Sequence, residues 1–254
     1  MMQQPYPILE YDPSTPAMLE PREIISPHEV PEHAVACFFQ PVIAKLIADH
    51  QAKRIGRLAS EIGEHPFIEV ELQGKRLAVF HPGVGAPLAA ALLDEVIAFG
   101  CRKFIACGGA GVLVPNLAVG HLVVPTAAVR DEGTSYHYLP PSREVEPSPE
   151  GVAAIEQVLT AHNLPYLKAK TWTTDAIYRE TPAKVAIRRA EGCATVEMEA
   201  AGFFAVARFR GVSFAQLLYG GDDLSTDTWD GRGWAHHAGR EALFWLAAEA
   251  CLLL

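Results

Sequence analysis

The sequence predicts an α/β domain built around a largely buried sheet. Three observations predict it. Short runs rich in β-branched and aromatic residues alternate with longer stretches of helical periodicity. Prolines stand where the first turn of those helical stretches tolerates them, at Pro41, Pro87 and Pro182. Two of the strand-like runs end in clusters of glycine, as strands do where they feed a turn above the sheet.

Residues 1–32 stand apart. They hold Pro5, Pro7, Pro13, Pro16, Pro21, Pro27 and Pro31 with little periodicity, and read as an extended arm. Residues 33–254 read as a single domain, with no internal repeat or low-complexity tract. Strands are expected over 34–38, 67–72, 76–80, 103–107, 121–126, 168–173, 194–196 and 213–219. Helices are expected over 41–60, 86–99, 151–162, 182–190, 199–208 and 236–254. The proline-rich stretch 140–149 reads as a surface loop.

Charge and hydropathy narrow the function. The 21 Lys and Arg are outnumbered by 30 Asp and Glu, for a formal net charge of −9, which argues against a nucleic-acid binder. A small anionic substrate remains compatible, because local cations and backbone N–H groups outweigh the global sign. The apolar stretch 242–254 is interrupted by Glu249 and falls short of the roughly 20 residues of a membrane span, so no membrane partner is expected. No basic segment followed by an apolar one opens the chain, and the five cysteines are scattered, so the expected address is the reducing cytoplasm. No metal site is expected: Cys101 and Cys107 flank a strand, and the adjacent His236 and His237 sit about 100° apart on a helix rather than on one face.

The glycine clusters are Gly83-Val84-Gly85, running into Ala86-Pro87, and Gly108-Gly109-Ala110-Gly111. Glycine at a strand's C-terminal end lets backbone N–H groups approach a ligand, and open α/β sheets bind ligands there. Neither a complete dinucleotide fingerprint nor the lysine of a nucleotide P-loop is present. The most informative segment is Val196-Glu197-Met198-Glu199-Ala200-Ala201-Gly202. It leads two carboxylates into a helix start, where burial is costly unless each acid has a partner. A polyol offers such partners, with Met198 packed on its apolar face; the helix N-terminus, which favours acids by itself, is the competing explanation.

That segment resembles the ribose-binding signature of the nucleoside phosphorylase family, which includes uridine phosphorylase and the hexameric purine nucleoside phosphorylases. The glycine clusters resemble the family's two glycine loops, Ala128-Val129-Arg130-Asp131-Glu132-Gly133-Thr134 is most similar to the uridine phosphorylase branch, and Thr174-Asp175-Ala176-Ile177-Tyr178 resembles the segment bordering the base. The similarity spans roughly residues 76–222. It implies a three-layer α/β/α phosphorylase/hydrolase-like fold with a mixed central sheet and cleavage of the bond between ribose and base. Phosphate is the implied co-substrate, with no cofactor and a homo-oligomer, dimer or hexamer.

By the same resemblance Glu199, Met198 and Glu197 hold the ribose, while Val196, Tyr178, Ile177, Ala110 and Gly111 border the base. Gly83, Gly108 and Gly109 would meet phosphate. Asp222 is the implied acid that protonates the leaving base, with Asp223 competing. The departures lie on the phosphate side. Ala106 stands where the family carries an arginine, Gly109 replaces a hydroxyl residue, and Cys37-Phe38-Phe39-Gln40-Pro41 replaces an arginine-bearing loop. Either Arg130 or Arg179 supplies the missing cation, or water replaces phosphate and the chain is a nucleoside hydrolase. A non-catalytic nucleoside-binding protein is the third reading.

Overall fold

The computed structural model describes residues 3–233 and 239–254. Ten strands form one mixed sheet: β1 (His33–Cys37), β2 (Ala52–Ser60), β3 (Gly63–Leu72), β4 (Lys75–Phe80), β5 (Lys103–Val112), β6 (Leu122–Asp131), β7 (Glu144–Val145), β8 (Tyr166–Thr174), β9 (Cys193–Glu197) and β10 (Ser213–Asp223). The helices among the described residues are α1 (Pro21–Ile24), α2 (Gln40–Ala48), α3 (Ala86–Phe99), α4 (Ser135–Tyr138), α5 (Pro149–Ala161), α6 (Pro182–Ala190), α7 (Ala200–Arg210) and α8 (Arg240–Cys251).

Strands β10, β6, β8, β9 and β5 close into a ring, because β10 pairs with both β6 and β5. From β5 the sheet continues outward through β1, β4, β3 and β2. Parallel strands with both faces covered read as continuous apolar runs, and β1 shows why. Ala34 and Ala36 face a core shared with α3 and α7, while Val35 and Cys37 face one shared with α2, α5 and α8. Helices therefore cover both faces in three layers, the architecture that the resemblance implies. The C-terminal ends of β1, β5 and β10 come together at one edge, where α3, α7 and α8 begin.

The expected helix over 41–60 is corrected: α2 stops at Ala48, and residues 52–60 form β2. His50 takes a left-handed φ of 54°, which ends the helix, and the chain then pairs antiparallel with β3. Helical periodicity in 52–60 yields to that edge pairing, whose register shifts between Arg54 and Gly56. Seven of the eight expected strands run longer than expected. In particular β5 continues through Gly108-Gly109-Ala110-Gly111, so the second glycine cluster is strand rather than loop. The stretch read as a surface loop holds β7, and the expected helix over 236–254 is described from Arg240, with His236 and His237 outside the described residues.

The proline-rich arm docks on the α3 face. Ile25 and Val30 pack against its core, the His28 ring meets Phe99 edge-on at 5.1 Å, and Glu20 takes a 2.9 Å bond from Arg210.

Candidate active site

The turn between β4 and α3 requires glycine. Gly83 and Gly85 have φ of 78° and 88°, and a Cβ on Gly83 would lie 2.4 Å from Leu88 Cδ2. The Gly83 N–H donates to His81 Nδ1 at 3.0 Å, and burial holds that imidazole below its ordinary pKa. The Gly85 N–H, one residue before α3, donates to Glu199 Oε1 at 2.6 Å. A loop after one strand is thus tied to the helix start after another.

The two acids of the signature segment have different surroundings. Glu197, the last residue of β9, has both oxygens engaged within the chain. Oε1 accepts from Thr173 Oγ1 at 2.6 Å, and Oε2 accepts the N–H groups of Glu199 and Ala200 at 2.7 and 2.6 Å. Thr173 Oγ1 in turn accepts the Ala201 N–H at 3.0 Å. Three unpaired N–H groups at the start of α7 are thereby satisfied. Burial pushes the Glu197 carboxyl up to about 7 against those hydrogen bonds.

Glu199 is buried at the α7 N-cap without capping the helix through its side chain. Burial first, and the neighbouring Glu197 second, push its carboxyl up to about 8, against the N–H groups of Gly85 and Met198. Met198 between them is half-buried. A buried carboxyl of this kind gains from any positive charge placed beside it.

At the other end Gly111 brings several groups together. A Cβ there would lie 2.7 Å from Leu224 Cδ1, 2.9 Å from Val196 Cγ1 and 3.5 Å from Asp222 Oδ1. Ala110 pairs with Gly220, after which the β5–β10 register shifts and Asp222 follows. Asp222 Oδ2 accepts the Trp229 indole N–H at 2.7 Å. Asp223 turns elsewhere: against the burial that would raise it, hydrogen bonds from Ser225 and the Arg232 charge hold its carboxyl below the usual range. It is therefore a poor proton donor.

Among the described residues no hydrogen bond or ion pair joins the expected cations to these acids. Arg130 is buried and committed to its own loop. It donates to Ser135 Oγ at 2.8 Å, to the Pro140 carbonyl and Ser142 Oγ at 2.8 and 2.7 Å, and to the Leu139 carbonyl at 3.2 Å, and its guanidinium stacks on Tyr136. Those bonds leave it little capacity to hold an anion. Ile177, Tyr178 and Arg179 form one exposed 3-10 turn, with Tyr178 94% exposed. Phe38 packs on Gly108, and Tyr219 stands 3.1 Å from the site of a Cβ on Gly109. Arg240, at the start of α8, donates to Tyr219 Oη at 3.0 Å and lies over the Phe39 ring. Among the described residues no group of three His, Cys, Asp or Glu could hold a metal ion, and no helix is long and apolar enough to cross a membrane.

The model of the phosphorylase superfamily matches residues 32–243. The chain belongs to this superfamily. Within it, guanosine phosphorylase of Halorubrum lacusprofundi is 28% identical over 155 residues, covering 61% of this chain and 64% of that protein. Uridine phosphorylase of Escherichia coli K12 is 37% identical over 70 residues, 28% of each chain. The matched segments thus span less than two thirds of these curated relatives. A crystal structure of purine nucleoside phosphorylase from Toxoplasma gondii superposes with a TM-score of 0.75 at 21% identity, covering 89% of this chain and 95% of that one. Its likeness is one of fold.

Several groups of this phosphorylase-superfamily site escape sequence reasoning. Thr173 is signalled by nothing but its place on a neighbouring strand. Arg232 donates to the carbonyls of Leu117, Gly221 and Asp222 at 3.0, 2.6 and 3.3 Å, clamping the strand end that carries Asp222 from ten residues downstream. Trp229, on the same segment as Arg232, and Glu180, just before α6, reach the same region.

Proposed function

We propose that the chain cleaves the N-glycosidic bond of a ribonucleoside and releases the free base, with phosphate as the acceptor. One observation carries this reading: the buried Glu199 carboxyl, fixed by the Gly85 N–H at 2.6 Å and raised to about 8. An acid so placed accepts hydrogen bonds from the 2′ and 3′ hydroxyls of a ribose, with Met198 against the sugar. As the bond to the base breaks, positive charge develops on the sugar. Burial and Glu197 keep that carboxyl largely protonated in the empty site, and positive charge on the sugar favours its ionised form, so the group stabilises the transition state more than the ground state. Val196, Ala110 and Gly111 would border the base, with Asp222 at its far side. Glu197 supports the ribose site by holding the turn that carries Glu199. The names of the curated relatives support phosphate as acceptor, which Gly83 and the Gly108–Gly109 strand segment would approach.

Water as the acceptor is the second reading, and a specific observation favours it. Ala106 and Gly109 supply no cation or hydroxyl, Arg130 is committed to its loop, and Phe38 and Phe39 flank the glycine segment with apolar rings. Arg240 is the cation that reaches that segment, through Tyr219. The exposure of Ile177, Tyr178 and Arg179 supports a homo-oligomer in which a second copy covers them. Five free, buried cysteines are in keeping with a cytoplasmic address.

Incubation with adenosine, inosine, guanosine and uridine, with and without phosphate, tests both readings. Ribose 1-phosphate formed only with phosphate supports the first, and free ribose formed without it supports the second. No cleavage of any of the four overturns both.

A further inference from the structure

Beside Asp222 lies a second acid that neither the signature segment nor the glycine clusters announce. Glu180 follows the exposed turn and lines a cavity of about 280 Å³ with Pro182, Val185, Leu224, Ser225 and Trp229. Its carboxyl is half-buried, and among the described residues no hydrogen bond or ion pair reaches it; the group that acts on it is the Asp222 carboxylate. The two acids therefore share one region with unequal surroundings. Asp222 Oδ2 receives the Trp229 N–H, and since an indole nitrogen only donates, that oxygen is held as an acceptor. Glu180 is half-buried in a cavity of mixed polar and apolar walls and has a like charge in front of it. Two carboxyls whose environments differ in this way divide into a proton carrier and a charged partner.

We propose that Glu180 is the proton donor to the leaving base and that Asp222, held as an acceptor by Trp229, is its partner. The proposal rests on the reading of the chain as a nucleoside-cleaving enzyme. In the step, the C1′–N bond breaks and its electron pair passes to the base. The Glu180 carboxyl proton moves to a ring nitrogen of the base, and an oxygen of phosphate bonds to C1′, or an oxygen of water that releases its proton to solvent. The base leaves neutral, and Glu180 regains a proton from solvent. Burial, with the Asp222 charge second, raises Glu180 to about 7, so about half of the carboxyl is protonated at neutral pH. The other charged groups around the cavity are Asp227 and Arg189, whose guanidinium donates to the Ser225 carbonyl at 3.2 Å.

The test compares two leaving groups in wild type and Glu180→Gln. One is the base of whichever of adenosine, inosine, guanosine and uridine the wild type cleaves. The other is p-nitrophenolate from p-nitrophenyl β-D-ribofuranoside, which departs without needing a proton. The expected result is a loss of about 10²- to 10³-fold in kcat on the nucleoside. The nitrophenyl riboside should be cleaved within about threefold of wild type, which also shows that the variant folds. The fall of nucleoside kcat on the alkaline side of pH 7 should vanish in the variant. Unchanged nucleoside turnover overturns the proposal, as does equal loss on both substrates. Wild type that cleaves neither substrate overturns the parent reading instead, and the proposal with it.

Discussion

Glu199 Oε1 accepts the Gly85 N–H at 2.6 Å, a bond that joins the start of α7 to the residue preceding α3. The packing beneath makes it possible: a Cβ on Gly202 would lie 3.1 Å from Ala86 Cβ, so the two helix starts meet through small residues. The substitution Glu199→Gln keeps size and can still accept the Gly85 N–H, but cannot carry the negative charge. Its expected effect is a loss of about 10²- to 10³-fold in kcat/KM for a nucleoside, with the folded structure kept. Steady-state kinetics beside circular dichroism check this, and activity within twofold of wild type would remove Glu199 from the ribose site.

The same carboxyl makes stability fall with rising pH. Glu199 rises in the fold from an ordinary 4.5 to about 8, and Glu197 to about 7. Between the unfolded and folded values the native state holds protons that the unfolded chain has released, so stability is full below about pH 4.5 and drains away as pH climbs toward 8. Asp131 and Asp223 are shifted downward, so their contribution is lost only in acid, while His33 and His81, lowered by burial, add stability as pH rises to about 6.5 and offset the window only in that lower part. The unfolding midpoint should therefore drop by at least a few degrees from pH 5 to pH 8, and Glu199→Gln should flatten the drop. Parallel slopes for wild type and variant, followed by scanning calorimetry, would contradict the assignment.

Arg232 is expected to matter beyond its exposed loop. Replacing it with alanine leaves the carbonyls of Leu117, Gly221 and Asp222 without their donor and removes the 3.4 Å pair with Asp223. A destabilisation of about 1–3 kcal/mol follows from lost hydrogen bonds of this kind. Because the clamp holds the backbone of Asp222, kcat should fall about tenfold while KM changes less. Urea unfolding and initial-rate kinetics read the two effects separately, and a variant with wild-type kcat would show that the strand end keeps its place without the clamp.

Local sequence carries much of this architecture and little of its cross-links. The alternation of strand and helix, the glycine turn at 83–85 and the acidic entry to α7 are contiguous signals, each legible because one segment determines it. Residues 52–60 mislead because their strand character comes from pairing with β3, a partner that periodicity within the segment does not reveal. Arg130 looks like an anion ligand in sequence, yet the chain folds Ser135, Leu139, Pro140 and Ser142 around it. Glu180 precedes α6, whereas Trp229 and Arg232 share the segment after β10, and the three meet at Asp222 only in the fold, so no motif in the sequence announces them.

The junction at Gly111 offers the sharpest test of the base end. Alanine there would bring its Cβ to 2.7 Å from Leu224 Cδ1 and 2.9 Å from Val196 Cγ1, well inside ordinary contact. Leu224, half-buried, opens the loop after β10 and gives way more readily than Val196, which is fixed in β9 and buried. Its displacement carries the neighbouring Asp222 with it. Overpacking of this kind costs about 1–3 kcal/mol, and the intruding methyl occupies the space between Val196 and Asp222 where a base would lie. Gly111→Ala should therefore raise KM for the nucleoside about tenfold and lower the unfolding midpoint. Adding Leu224→Ala removes the closest clash, so the double variant should recover at least half of the lost stability while the raised KM persists. Recovery of both together would show that the methyl acts through Leu224 alone and that no base occupies the space beside Gly111.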